Sequence, residues 1–203
     1  MFKDFFDNLN RKKLKDARFE FLFQGKSDEI VVFDTETTGL NPKVDDIVSI
    51  GAVKIKDNKI LLDSIFEVYI KQKQAINSES IKVHKIRNCD LNEAVDLKEA
   101  IDKFLYYIGS SKLVGYYLEF DVAMINKYIK KMYGIKLPNL QEDVSAIYYE
   151  KKISSIPQGN IDLRFDTIMK SLDLPPLRAH DAINDALMTA IIYLKLKHIT
   201  KII

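Results

Sequence analysis

A chain of 203 residues, 47% hydrophobic and 30% charged, can bury a core for one globular domain with at most a short extension. Its 31 lysines and arginines nearly balance 29 aspartates and glutamates, so a formal charge of +2 selects no partner in bulk, and a nucleic-acid binder would need a local basic patch. One cysteine, Cys89, excludes an internal disulfide framework or a cysteine-built zinc site, and no apolar run reaches the roughly 18 residues that span a bilayer; both fit a reducing cytoplasm and no membrane.

Residues 1–26 differ from the rest. Phe2, Phe5, Phe6 and Leu9 recur at helical spacing, Arg11-Lys12-Lys13-Leu14-Lys15 is basic, and Phe19 to Phe23 is rich in phenylalanine before Gly25. The pattern predicts an aromatic, basic extension laid over a domain spanning residues 27–203, and one that can be deleted with little effect on turnover.

Ile30-Val31-Val32-Phe33 then reads as a buried strand, ending in Asp34-Thr35-Glu36-Thr37-Thr38-Gly39. Alternate residues of a strand point the same way, so Asp34 and Glu36 project together from its end. Two carboxylates in one small volume resist joint ionisation unless a cation or a shared proton relieves them, and carboxylate oxygens suit a hard divalent ion. The threonines and glycine add hydroxyls and a backbone that a phosphate or sugar can approach.

A run from Asp46 to Ile55 and another from Ile60 to about Ile70, joined by Lys56-Asp57-Asn58-Lys59, predict a hairpin and so a three-stranded antiparallel meander. Helices are expected over Ser78 to Ile86 and Asp96 to Ile108, the second ended by Gly109. Lys112 to Tyr117 predicts a short strand, and a helix follows from Phe120 to about Tyr133, which puts Asp121 at a helix start where an acid can also serve as a cap. Helices around Asp143 to Lys152 and over Asp162 to Leu172 precede the break at Pro175-Pro176. The last helix is expected from near Ala179 to about His198, with His180 and Asp185 about 140° apart around its axis, able to flank one pocket.

In this order Asp34-Thr35-Glu36-Thr37-Thr38-Gly39, then Phe120-Asp121, then His180-Asp181-Ala182-Ile183-Asn184-Asp185 resemble the three motifs of the DEDDh, or DnaQ-like, exonucleases, the family of the proofreading epsilon subunit of bacterial DNA polymerase III. The likeness covers about residues 28–198. It implies an α/β, ribonuclease H-like fold with a mixed central sheet of about five strands flanked by helices. It also implies that Asp34, Glu36, Asp121 and Asp185 hold two divalent metal ions, Mg2+ or Mn2+, with His180 as general base. The implied activity is 3′-to-5′ hydrolysis of single-stranded 3′ ends to nucleoside 5′-monophosphates, with DNA preferred over RNA and a DNA polymerase as a possible partner. The alternatives are an RNA-trimming enzyme of the same family and a catalytically idle binding module.

Glu79-Ser80-Ile81-Lys82-Val83-His84 resembles the family segment that contacts the terminal nucleotide, which makes Glu79, Val83 and His84 candidate contacts beside Thr37, Gly39 and Leu40. Two positions depart from the family. Gly115-Tyr116-Tyr117 stands where Gly-His-Asn is usual, and Lys85 replaces the glycine after the histidine. The chain ends soon after its last helix, so the long carboxy-terminal polymerase tether of some epsilon subunits is not expected.

Overall fold

The structure, a computed structural model, describes residues 2–25, 27–72, 76, 78–91, 93–153, 160–175, 181–200 and 202. Helix α1 (Phe2–Arg11) and a 3-10 segment (Ala17–Phe23) precede β1 (Ile30–Thr37), β2 (Ile47–Lys56) and β3 (Lys59–Tyr69). Then come α2 (Ser78–His84), a second 3-10 turn (Asn88–Leu91), α3 (Leu97–Ile108), β4 (Lys112–Gly115) and α4 (Leu118–Tyr133). The chain closes with β5 (Gln141–Asp143), α5 (Val144–Ile153), α6 (Phe165–Ser171) and α7 (Ala182–His198).

The five strands form one mixed sheet in the order β3-β2-β1-β4-β5. The first three are the expected antiparallel meander, and β4 and β5 add in parallel on the other side of β1. Because side chains alternate, β1 serves two cores. Val31 and Phe33 pack with α3, α4 and the 3-10 segment, and Val32 packs with α5, α6 and α7. No helix of the described residues is long and apolar enough to cross a membrane.

Three differences from the sequence expectations have local causes. Helix α7 starts at Ala182 rather than Ala179, because Asp181 is its N-cap, its carboxylate accepting from the Asn184 N–H at 3.1 Å. Helix α4 starts at Leu118, two residues early, and β4 stops at Gly115. A Cβ on Gly115 would lie 2.7 Å from Leu118 Cδ1, which is what lets the chain turn there directly into the helix. Strand β5 has no strand-like sequence signal: Gln141, Glu142 and Asp143 are polar, and the pairing of Leu113, Val114 and Gly115 with them makes the strand.

The amino-terminal segment is a structural part of the domain. Phe19 is fully buried, its ring 4.5 Å from that of Tyr133 and 5.4 Å from that of Tyr106, and Leu22 lies in the same core. Asn10 is bonded to the backbone of Lys136 in both directions, at 2.7 and 3.0 Å. These contacts weigh against the expectation that residues 1–25 can be removed with little effect on turnover, and the deletion itself is the test.

Candidate active site

Strand β1 outruns its parallel neighbour. Only Ile30, Val31 and Val32 pair with β4, so beyond Phe33 that edge of β1 is left open. Asp121, in the first turn of α4, fills the gap: its Oδ1 accepts the Thr35 N–H at 3.0 Å and the Thr35 hydroxyl as well. The carboxylate thus completes a strand edge from the first turn of its helix. Asp121 is 4% exposed and Thr35 7%, and burial pushes the Asp121 carboxyl up to about 7 against the opposing hydrogen bonds from Thr35.

On the other face of β1 stand Asp34 and Glu36. Directly across the ladder from Asp34 is Gly51, and on Gly51 lies the first turn of α7. A Cβ there would fall 2.3 Å from both the Ala182 carbonyl carbon and the Ile183 nitrogen. This close approach delivers Asp185 to the strand end. Carboxylate oxygens of Asp34, Glu36 and Asp185 all lie within 4.8 Å of one another, the one such group of acids, histidines or cysteines among the described residues.

The cluster is electrostatically expensive by itself. Burial first, then Asp121, Glu36 and Asp185, push the Asp34 carboxyl well above the ordinary carboxylate range. Glu36 rises to about 8, from burial and from Asp185, Asp181 and Asp121. Three oxygen donors on rigid elements, with no sulfur or nitrogen donor in the group, match a hard cation, and a cation would relieve the repulsion.

The acids floor a cleft of about 470 Å³ whose walls include Leu40, Val83, Tyr116, Arg164 and Phe165. Leu40 is 87% exposed and Val83 50%, which leaves both apolar side chains open to a ligand in the cleft. The loop carrying Leu40 is fixed: the Thr37 hydroxyl donates to the Gly39 carbonyl at 2.7 Å, and the Ser80 hydroxyl ties α2 to the Thr38 carbonyl at 2.7 Å. Glu79 is exposed on α2. His84 is turned inward instead, 4% exposed, with Nδ1 accepting from the Ile86 N–H at 3.0 Å and Nε2 without a partner among the described residues. His180 lies outside the described residues. Sequence reasoning did not find Arg164, Phe165 or Asp166 as cleft residues; the helical pattern of α6 carries no sign that its first turn faces the acids.

A five-stranded mixed sheet flanked by helices, with acids from β1, α4 and α7 gathered at the end of its central strand, is the ribonuclease H-like architecture of a nuclease. The exonuclease family model matches residues 31–193, and the chain belongs to that family, the DnaQ-like exonucleases. Among relatives, the DNA polymerase III PolC-type protein of Thermotoga petrophila is 31% identical over 171 residues, covering 84% of this chain and 12% of that one. The DNA polymerase III subunit epsilon of Rickettsia conorii is 29% identical over 169 residues, covering 82% of this chain and 72% of that one. The chain therefore spans about an eighth of the PolC-type relative and most of the epsilon subunit. Solved structures share the fold. Cell-death related nuclease 4 aligns with a TM-score of 0.71 at 17% identity, over 84% of this chain and 64% of that one. E. coli exonuclease I in complex with a dA16 oligonucleotide aligns with a TM-score of 0.69 at 15% identity, over 84% and 41%.

Proposed function

We propose that this protein is a metal-dependent 3′-to-5′ exonuclease that removes nucleoside 5′-monophosphates from single-stranded 3′ ends, with DNA preferred. The observation that carries the reading is the convergence of Asp34, Glu36 and Asp185 within 4.8 Å, with Asp121 locked at the same strand end. Asp34, Glu36, Asp121 and Asp185 would hold two divalent cations, Mg2+ or Mn2+. Such ions acidify a bound water and stabilise the charge developing on the leaving 3′ oxygen. The chain's own residues set the rest. The rigidity of β1 and α7 fixes where the attacked phosphate sits. His180 is the proposed base that takes the water's proton, imidazole being poised near neutral pH.

Leu40 and Val83, whose side chains line the cleft, are proposed to pack against the terminal nucleotide, with Thr37, Gly39 and Glu79 as its further contacts; His84, which faces inward at 4% exposure, would reach it only by turning its ring outward. The preference for DNA is supported by the relatives, which are DNA polymerase III components, and by the single-stranded DNA held by E. coli exonuclease I. The same relatives support service beside a DNA polymerase in the cytoplasm. The test is release of mononucleotides from 3′-labelled DNA and RNA of one sequence, with magnesium or manganese against EDTA, alongside Asp34→Ala. Metal-dependent release from DNA, abolished by the substitution, is expected. Faster release from RNA would make the enzyme an RNA trimmer, and no release from either would leave a binding module.

A further inference from the structure

Tyr117 breaks two local rules at once. It is the N-cap of the 16-residue helix α4, yet it supplies no side-chain cap, and its backbone is left-handed at φ 49° and ψ 41°. An asparagine would satisfy both demands, because it caps helices and tolerates that conformation. What the tyrosine supplies instead is a ring, and the residue is 53% exposed. Local rules broken without a local gain are characteristic of functional positions.

The ring does not stand alone. Its centroid is 4.5 Å from that of Tyr116, and the Tyr116 ring meets Phe165 edge-on at 4.9 Å. Tyr116 is itself anchored, its hydroxyl donating to the Leu163 carbonyl at 2.9 Å. Tyr116 and Phe165 line the cleft that holds the acids, whereas Tyr117 lines a neighbouring depression of about 630 Å³ with Pro42 and Phe120. The three rings thus form a continuous row leading from the acid cluster out to an open groove. The groove also carries Glu119, Glu142 and Asp143, so charge does not draw a phosphate backbone into it. What the Tyr117 ring offers there is a flat, uncharged face, and nucleobases of any sequence stack on such a face.

We infer that Tyr117 is a stacking platform for the base next to the terminal nucleotide, and so a determinant of how tightly single strands are held. The inference rests on the exonuclease reading only for the identity of the strand. With the terminal nucleotide in the cleft, the row carries the strand outward, and its outer ring meets the neighbouring base.

The test compares the wild type with Tyr117→Asn and Tyr117→Phe on two substrates: a single-stranded oligothymidylate, and the p-nitrophenyl ester of thymidine 5′-monophosphate, which has no neighbouring base. Tyr117→Asn is expected to raise KM for the oligomer about ten-fold. It should leave the ester unaffected and raise Tm by about 2 to 4 °C by relieving the backbone. Tyr117→Phe should behave as wild type. In a second arm, 2-aminopurine next to the 3′ nucleotide should be quenched on binding to an Asp34→Asn protein and not to the Asp34→Asn, Tyr117→Asn double variant. Wild-type turnover of neither substrate would overturn the exonuclease reading and leave the fluorescence arm to decide the stacking. An unchanged oligomer KM, or equal quenching with and without the ring, would overturn the inference.

Discussion

Asp34 and Gly51 face each other across the β1–β2 ladder, and the missing side chain of Gly51 is the space into which the first turn of α7 settles. One residue supplies a carboxylate and its partner supplies the vacancy that brings a third carboxylate, Asp185, alongside. Ala182 and Ala186 continue the close approach, both buried and both without a side chain beyond Cβ. The site is therefore set by backbone proximity between a strand pair and a helix.

Gly51→Ala should accordingly strike the site harder than the fold. The added methyl meets backbone atoms at 2.3 Å, which no rotamer change can relieve, so α7 must move. We expect a loss of about 1 to 3 kcal/mol in stability, typical of overpacking. Turnover should fall by at least about a hundred-fold, because displacements near 1 Å cost that much. Urea denaturation and the nucleotide-release assay measure the two effects. A variant destabilised as expected but fully active would show that Asp185 tolerates displacement.

Much of this arrangement was legible beforehand because it is written in periodicity. The alternation of Val31, Val32, Phe33 and Asp34 places the carboxylates on one face, and the apolar spacing of α3 and α7 finds both cores. What was not legible depends on contacts between distant segments. Nothing in Gln141-Glu142-Asp143 marks a strand until β4 lies beside it. Asp121 reads locally as a cap, and only the open edge of β1 explains why its carboxylate turns to Thr35, 86 residues away in the chain. Phe19 reads as part of an extension because its burial depends on Tyr106 and Tyr133.

Metal should stabilise the protein through the same acids whose repulsion costs it stability. Magnesium or manganese is expected to raise Tm over that in EDTA, since a ligand bound by the native state alone stabilises it in proportion to RT ln(1 + [L]/Kd). Asp185→Asn should abolish that rise and the turnover. In EDTA it should be at least as stable as wild type, because it removes a charge that raises Glu36 and Asp34. Differential scanning calorimetry with and without metal tests both. A variant clearly less stable in EDTA would show that Asp185 has a structural role independent of the ion.

Glu142 predicts the pH dependence of a different region. It accepts from Lys197 Nζ at 2.7 Å, Lys112 Nζ at 2.9 Å and the Tyr193 hydroxyl at 2.9 Å, joining β5 to β4 and α7. Burial raises its carboxyl, but these three donors outweigh it and hold the group at about 2, below the ordinary 4.5. A depressed native pKa means stability that is complete above about pH 4.5 and lost as pH falls through about 2. Because the side chain is partly exposed, Glu142→Gln should cost only about 1 to 2 kcal/mol at neutral pH. That difference should shrink steadily between about pH 5 and pH 3. A difference that does not change over this range would assign the effect to packing.

The amino-terminal segment makes the sharpest distinction between brace and appendage. Phe19 is fully buried against Tyr106 and Tyr133, and a Cβ on Gly134 would lie 2.3 Å from the Lys13 carbonyl, so the segment is seated on the end of α4 as closely as one core element on another. Truncating a buried phenylalanine costs about 3 to 5 kcal/mol, a large share of the 5 to 15 kcal/mol that holds a typical domain. Phe19→Ala should therefore lower Tm steeply, and removal of residues 1–25 should leave a chain that fails to fold. Removal of residues 1–9 spares Phe19, Leu22 and the Lys15 N–H bond to the Tyr133 carbonyl, and should leave a folded protein. Circular dichroism melts of the three variants decide the matter. A folded, active chain lacking residues 1–25 would return the segment to the status of an extension and place the boundary of the independent domain at β1.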